Sequence, residues 1–410
     1  MNDTDYMEKE EKKKLFNLEK YLPNLEPVSS VPPHFWSLDS KDLINIGIMA
    51  GMIIIIWIIT IMQYGWLSVI SYWDGPNYIY AGICLYNVPP NNLWTQSFRY
   101  PPSYFACHLP GFPLAIRFLS TLVFNHFALG AHLAILVISC LLVYVFRRLL
   151  SIYNCVSDPA FSASLIIFFP LRLTIYHTVL ASEPLFILYV SLAFIFLKTN
   201  QMLPLCLSIC GACITRIEGL AIFGTIGLCY LLRFDIIRAF IVSLCAIAPF
   251  SIILLHKIKF NDWLAYVHFN QNSQGLLRFE PFFEIINNFR GNTDIIYANS
   301  ATFLFFPFIV GTILLYFVSI PFAIFSTVYV LFVSMIFHLD IFRYAIPGFV
   351  FALFVGFDPI FSSPQFKKVF YCFCPFYVYY LFKMIPEQIK SNSAPPWFTN
   401  HVLNSPVSYH

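Results

Sequence analysis

The stretch that decides the fold is Leu43–Ile70, which reads LINIGIMAGMIIIIWIITIMQYGWLSVI, and it is followed almost at once by Trp73, Asp74, Gly75 and Pro76. An uncharged run of this length predicts a membrane-spanning helix, because about 20 apolar residues cross the hydrocarbon core. Asp74 is therefore expected at the membrane boundary, at the mouth of a polar loop. A carboxylate is costly beside lipid and stable in a water-filled cavity, so it marks a candidate functional site. The alternative is an ordinary aspartate ending a helix at the interface, and position alone favours neither.

Composition places the whole chain in a membrane. Of its 410 residues, 59% are hydrophobic and only 11% are charged, whereas a soluble domain carries about 25% charged residues. The net charge of +3 gives no indication of a nucleic-acid partner. The cysteines show no metal-ligand spacing. Cys84 and Cys107 fall in one polar loop, where they would pair only in an oxidising lumen, and this stays open.

Hydropathy and length predict an all-α polytopic membrane protein with about 9 to 11 transmembrane helices. Residues 1–42 form a polar N-terminal segment without a cleavable signal, residues 43–385 the transmembrane domain, and residues 386–410 a polar, irregular tail. Two large polar loops, 71–127 and 257–298, interrupt the domain.

Individual segments follow from the same criteria. An apolar piece of the first loop, 110–127, is expected to lie along the membrane surface. Residues 202–215 are short for a span and are expected to form a re-entrant hairpin with residues 219–232. The other expected spans are 43–70, 128–149, 161–177, 184–198, 239–256, 300–317, 319–337, 344–360 and 369–385.

The positive-inside rule orients these spans. Lys12–Lys14 place the N-terminal segment in the cytosol, so the Asp74 loop falls on the lumenal side. Lys257 and Lys259 are exceptions to the rule on this count. Ionisable residues collect at the lumenal face, which predicts a site that opens to the lumen rather than a path through the bilayer. The basic residues that the count assigns to the cytosol are Arg147, Arg148, Lys198, Arg233, Arg238, Lys367 and Lys368.

The first lumenal loop carries the candidate base. Trp73 can lie at the level of the headgroups while the carboxylate of Asp74 points into a cleft. Asp74 could then take a proton from an attacking hydroxyl group. His108 is either a second acid–base group or an ordinary loop residue.

Two further motifs place charged residues at predicted span ends. Glu183 beside Pro184 is typical of a helix start, and it is also a candidate for acceptor binding. Arg216 and Glu218 interrupt an apolar stretch, where charges need partners or water. They form either a structural ion pair or, through Arg216, a phosphate site.

The last motif lies between two predicted spans. His338, Asp340 and Arg343 fall there, and Asp340 and Arg343 can share one helical face at a spacing of three. Arg343 is a second candidate for binding phosphate, and the alternative is a capped, salt-bridged turn. The sequence contains no P-loop, no dinucleotide-binding glycine loop and no zinc or nucleophile-elbow motif.

Taken together, four short motifs resemble the PIG-V family, the second mannosyltransferases of glycosylphosphatidylinositol (GPI) anchor assembly. Their order and approximate spacing agree over about residues 60 to 360. Tyr72 and Glu218 depart from the family pattern. The matching pieces are Trp73 with Asp74, Leu109–Leu114, Ser182–Phe186, and Arg216 with Gly219 and Leu220.

The resemblance implies a GT-C-type glycosyltransferase fold in the endoplasmic reticulum membrane. It implies dolichyl-phosphate mannose as donor, a GPI glycolipid that bears one mannose as acceptor, and an α-1,6 linkage as product. Inversion at the sugar implies Asp74 as base, with Arg343 or Arg216 on the donor phosphate. Trp73, His108, Glu183, Glu218, His338 and Asp340 are the further candidates for substrate contacts.

No cofactor is expected, and no obligatory metal, because two arginines can stabilise a phosphate leaving group. The sequence leaves open whether a small membrane partner subunit is needed. Three alternatives stay open: a transferase for another lipid-linked sugar, a lipid transporter or scramblase, and a non-catalytic subunit of a partner enzyme.

Overall fold

The computed structural model describes residues 22–28, 30–89, 100–273, 282, 295–336 and 341–405. Within these ranges the chain is helical, and its only β pairing is an isolated bridge between Tyr72 and Ser393. Four helices in the described part are long and apolar enough to cross a membrane, and six shorter apolar helices of 10–17 residues accompany them. The chain is therefore an all-α membrane protein, and the total number of spans stays a prediction.

The helices are numbered here in chain order. They are α1 (Ser40–Tyr64), α2 (Gly75–Cys84), α3 (Gly111–Thr121), α4 (Phe127–Tyr153), α5 (Pro159–Phe168), α6 (Leu171–Tyr176), α7 (Glu183–Lys198), α8 (Met202–Thr215), α9 (Gly219–Leu232), α10 (Ile236–Phe260), α11 (Ala265–His268), α12 (Ile295–Leu315), α13 (Ile320–Ser334), α14 (Ile341–Phe351), α15 (Asp358–Phe361), α16 (Pro364–Ser391) and α17 (Pro396–Leu403). The four long apolar helices are α1, α4, α10 and α16.

The bundle has two ends, defined here by α1. At its start, the Asp39 side chain accepts the Asp42 N–H and the Asp42 side chain accepts the Asp39 N–H, a capping box. We call this the Asp42 end, and the opposite end, beyond Tyr64, the Asp74 end. Lys198 and Arg233 reach backbone carbonyls of residues 24–26 at the Asp42 end. The positive-inside count assigns these two residues to one face, in agreement with this placement.

Two predicted spans are shorter than expected. The first helix stops at Tyr64 because Gly65 takes a positive φ of 87°, and residues 65–71 form turns and a short 3₁₀ helix instead of extending the span. The predicted span 161–177 is wrong as one helix. Pro170 divides it into α5 and α6, since proline has no N–H to continue the ladder.

The C-terminal residues are more ordered than the sequence analysis predicts. In place of an irregular tail, α16 continues to Ser391 and α17 follows it. Trp73 N–H donates to Asn392 O at 2.9 Å, and Ala394 N–H donates to Ser71 O at 2.7 Å. The chain end thereby holds the segment that leads into Asp74.

An aromatic core fixes the helices that carry the site. Phe194 of α7 packs edge to face on Phe322 of α13 and Phe351 of α14, with ring centroids 4.9 and 5.6 Å apart. All three rings are fully buried. Such pairs add about 0.5–1.5 kcal/mol beyond burial. They lock α7 against α14, and these two helices present Glu183 and Arg343 at the Asp74 end.

Helices α8 and α9 form a helical hairpin, and its re-entrant character stays a prediction. Both have 14 residues and are joined at the Asp74 end by residues 216–218. The hairpin is tight because a Cβ on Gly219 would lie 2.4 Å from the Cys213 Cα. It delivers Arg216 and Glu218 to the same end as Asp74.

Candidate functional site: a charged cavity at the Asp74 end

A cavity of about 270 Å³ opens at the Asp74 end of the bundle. Its volume is close to the lower limit of small-molecule pockets, about 300 Å³. One side is charged and the other is aromatic. The charged side is lined by Asp74, His108, Arg216, Glu218 and Arg343, and the aromatic side by Tyr100, Tyr104, Tyr266 and Phe269.

A tight turn presents Asp74 to this cavity. Trp73 has a positive φ of 43°, and Asp74 is the N-cap residue of α2. A side chain at position 75 cannot fit, because a Cβ there would lie 2.4 Å from the Ile70 carbonyl oxygen. Pro76 in the first helical turn suits the fixed φ of a helix start. The Trp-Asp-Gly-Pro sequence is therefore explained by this turn.

Asp74 has two side-chain partners. Its Oδ2 accepts a hydrogen bond from Arg343 Nη1 at 2.8 Å, and its Oδ1 lies 3.4 Å from His108 Nε2. Burial raises the pKa of Asp74, but the charge of Arg343 and the hydrogen bond with His108 outweigh this, so the pKa lies well below its usual range. The carboxylate is therefore ionised at neutral pH, which is the form that can accept a proton.

Arg216 anchors the other side of the charged wall. Its Nη2 donates to Glu218 Oε1 at 2.8 Å, and its Nη1 donates to Glu183 Oε1 at 2.8 Å and to Ser182 Oγ at 3.1 Å. The hydroxyl of Tyr78 donates to the same Ser182 oxygen at 3.2 Å. Ser182 precedes α7 but does not cap it with its side chain. Its hydroxyl instead joins the polar network of the site.

Glu183 connects the two arginines. Its Oε1 accepts from Arg343 Nε at 2.7 Å as well as from Arg216. The side chain is fully buried and is not part of the cavity lining. The helix start predicted at this residue is confirmed, with Pro184 in the first turn. A continuous chain of contacts thus runs from Glu218 through Arg216, Glu183 and Arg343 to Asp74 and His108.

The aromatic side faces this ionic chain. The rings of Tyr100 and Tyr104 are stacked, with centroids 5.0 Å apart and planes 9° apart, and Phe269 packs edge-on against both. His108 lies between Tyr104 and Tyr78, at 5.0 and 5.2 Å between ring centroids.

Most of the predicted site residues converge. Trp73, Asp74, His108, Arg216, Glu218 and Arg343 all border the cavity, although they come from four separate segments. Asp74 lines the cavity and also precedes a helix, and its functional role stays a prediction. His338 and Asp340 lie outside the described residues. Glu183 belongs to the network without lining the cavity.

Sequence reasoning missed the uncharged residues of the site. Tyr78, Tyr100, Tyr104 and Ser182 carry no charge, and their contacts join residues far apart in the chain. The abundance of tyrosine and proline in loop 71–109 is the only signal that could have pointed to the aromatic wall. Tyr266 and Phe269 lie in the second predicted loop, and nothing in their spacing connects them with Asp74.

The two loop cysteines do not form a disulfide in this structure. Cys84 and Cys107 are both free thiols, and Asn270 Nδ2 approaches Cys107 Sγ at 3.4 Å. Burial raises the pKa of Cys107 to about 12, so it is a protonated thiol at neutral pH. Among the described residues, no group of three or more His, Cys, Asp or Glu side chains is arranged to hold a metal ion.

The fold and site together define an all-α membrane protein with a charged, aromatic-lined cavity at one end. A comparison with protein-family models finds no match, and a comparison with curated protein sequences finds none either.

Proposed function

We propose that the chain is an inverting mannosyltransferase of the endoplasmic reticulum membrane. In this proposal it has a GT-C-type fold and transfers mannose from dolichyl-phosphate mannose, in α-1,6 linkage, to a GPI intermediate that already bears one mannose. The family resemblance of the four motifs supports the choice of substrates. The observation that carries the proposal is the 2.8 Å contact between Asp74 and Arg343 on the wall of one cavity that also contains Arg216.

The chemistry assigns a role to each side of that contact. Asp74 accepts the proton of the acceptor hydroxyl as its oxygen attacks the anomeric carbon of the donor. The bond between that carbon and the phosphate oxygen breaks, and dolichyl phosphate leaves with the electron pair. Because the donor is β-linked, a single displacement gives an α product. Arg343 and Arg216 stabilise the charge on the departing phosphate, a role that suits guanidinium donors.

Electrostatics adds a condition to this mechanism. Arg343 keeps the pKa of Asp74 low, which makes the carboxylate a weak base in the empty cavity. A donor phosphate that takes over the Arg343 Nη1 donor releases Asp74, and the pKa of Asp74 then rises toward its ordinary value. Donor binding therefore activates the base. Among the described residues, the site has three carboxylates for two guanidinium groups. The donor must therefore displace a carboxylate from one of these two arginines.

The test is mannose transfer by the purified protein, with labelled dolichyl-phosphate mannose and the GPI intermediate. Asp74→Asn should lower transfer by about 10²–10⁴-fold, the usual contribution of a general base, while the protein remains folded in the membrane. Asp262→Asn is the matched control, since Asp262 is a half-exposed aspartate paired with His268 outside the cavity. Full activity of Asp74→Asn would remove this residue from the base role.

Two further results separate the proposal from its rivals. Rescue of cells that lack the second GPI mannosyltransferase by the wild type, but not by Asp74→Asn, distinguishes an enzyme from a supporting subunit. Transfer from dolichyl-phosphate glucose, with none from the mannose donor, would retain the reaction class and change the substrate.

A further inference from the structure

One carboxylate oxygen holds both arginines of the cavity. Glu183 Oε1 accepts from Arg216 Nη1 at 2.8 Å and from Arg343 Nε at 2.7 Å, while the other oxygen, Oε2, is buried and has no partner among the described residues. The side chain has no exposed surface. Both arginines border the cavity, but Glu183 does not. Glu183 therefore contacts the guanidinium groups on the side away from the cavity.

Two like charges on one cavity wall repel each other and are free to move apart unless something fixes them. A charged carboxylate between them removes that repulsion and sets their separation. Its position at the first residue of α7 is itself fixed, because Pro184 follows it and the aromatic core holds the helix. The residue is thus placed by the fold and in turn places two side chains from other segments.

The bond from Arg343 Nε has a second consequence. It leaves Nη1 to Asp74, and Nη2 has no hydrogen-bond partner among the described residues. An incoming phosphate can therefore take the Nη1 and Nη2 edge while Arg343 stays anchored through Nε. Without the hydrogen bond from Nε to Glu183, the guanidinium group would move with the phosphate or with Asp74.

We propose that Glu183 is a positioning residue that holds Arg216 and Arg343 as a paired phosphate receptor, and that it contacts neither substrate. The proposal rests on the mannosyltransferase function proposed above and replaces the expectation that Glu183 binds the acceptor. It predicts in which direction the affinity for phosphate changes when Glu183 loses its charge. Removing a negative charge beside two arginines should strengthen phosphate binding if Glu183 only neutralises them, and should weaken it if Glu183 positions them.

The experiment measures two quantities on detergent-solubilised Glu183→Gln: the Kd for dolichyl phosphate, and kcat with the KM of each substrate. We expect the Kd to rise by about tenfold and kcat to fall by about 100-fold, the scale set by a misplacement of about 1 Å, with the acceptor KM changed by less than about twofold. Glu387→Gln is the matched control, because Glu387 is an exposed glutamate on α16 that bonds Tyr64 outside the cavity. It should behave as the wild type in every measurement.

Each other outcome overturns a specific statement. An unchanged or lower Kd for dolichyl phosphate in folded Glu183→Gln overturns the positioning role, and so does a raised acceptor KM at unchanged kcat. If Glu183→Gln does not fold, Glu183→Asp replaces it. The shorter side chain keeps the charge, but its oxygen does not reach the position between the two arginines. Wild-type Kd and kcat in that variant would therefore overturn the inference. A wild-type chain that neither binds dolichyl phosphate nor transfers mannose overturns the proposed function itself, whereas failure confined to the Glu183 variants overturns only the positioning role.

Discussion

Two ionic clusters of similar composition lie at opposite ends of the bundle. At the Asp42 end, the fully buried Asp42 and the partly exposed Asp39 accept bonds from Arg147, and Arg148 adds a second guanidinium to Asp42. At the Asp74 end, three carboxylates meet two guanidinium groups. The second cluster lines a cavity that contains aromatic rings.

The difference lies in what each cluster joins. The first connects the start of α1 with the last two turns of α4, since residues 39–42 cap α1 and residues 147–148 lie shortly before the end of α4. The charges there complete a helix cap. The second brings together residues from α7, α14, the segment before α2 and the connection between α8 and α9, which no local rule of helix capping requires. A set of charges that only the tertiary fold assembles, and that borders an open volume, is the better candidate for chemistry.

The test with the largest expected effect replaces one arginine of each cluster by lysine. Arg343→Lys should lower mannose transfer by about 10²–10³-fold, because one ammonium group cannot replace donors that face Glu183 and Asp74 in two directions. Steady-state kinetics with varied donor concentration measures the loss, which should fall mainly on use of the donor. Arg148→Lys is the matched control and should leave transfer per folded molecule unchanged. Equal losses in both variants would contradict the distinction between the two clusters.

A smaller effect is expected from the structural cluster. In Arg148→Met, the buried Asp42 loses one of its two guanidinium partners and the Ser37 carbonyl loses its donor. Unfolding in detergent should become easier by about 1–3 kcal/mol, the cost of leaving a buried polar group short of a partner. Transfer per folded molecule should not change. Arg238→Met is the control at the same end, because its pair with Asp235 is only half-buried, and it should cost no more than about 0.5 kcal/mol.

A stability loss from Arg238→Met as large as that from Arg148→Met would show that burial does not separate the two pairs. A loss of transfer per folded Arg148→Met molecule would show that the Asp42 end also takes part in function.

The sequence predicts the charged half of the site better than the aromatic half. Asp74, Arg216 and Arg343 stand out because charge at the end of an apolar run is costly, and hydropathy detects it. The stacked Tyr100 and Tyr104 leave no such trace, since tyrosine is common at any membrane interface. Their role depends on a contact with Phe269, more than 160 residues away, and sequence periodicity carries no information on such contacts.

Helix boundaries show the same limit. Hydropathy identifies the apolar segments but does not detect the helix ends at Gly65 and Pro170. Backbone conformation ends a helix there without a change in polarity. The C-terminal residues were expected to be irregular because they are polar. They are ordered by backbone hydrogen bonds to Ser71 and Trp73, and these partners become visible only in the fold.

The prediction with the smallest expected effect concerns the pH dependence of kcat/KM. The pKa of Asp74 is lower in the folded chain than its ordinary value, so this carboxyl contributes stability that is complete above about pH 4 and is lost as the pH falls toward the lower folded value. Its titration therefore cannot produce an acid limb in kcat/KM, which reports the free enzyme, between about pH 5 and about pH 7.

His108→Gln removes the imidazole that lies 3.4 Å from Asp74, so this variant isolates the carboxylate. We expect kcat/KM of His108→Gln to vary by less than about twofold over that range, whatever its absolute value. An acid limb that persists in His108→Gln would mean that Asp74 takes up a proton near neutral pH. Arg343 would then not hold the carboxylate in its charged form.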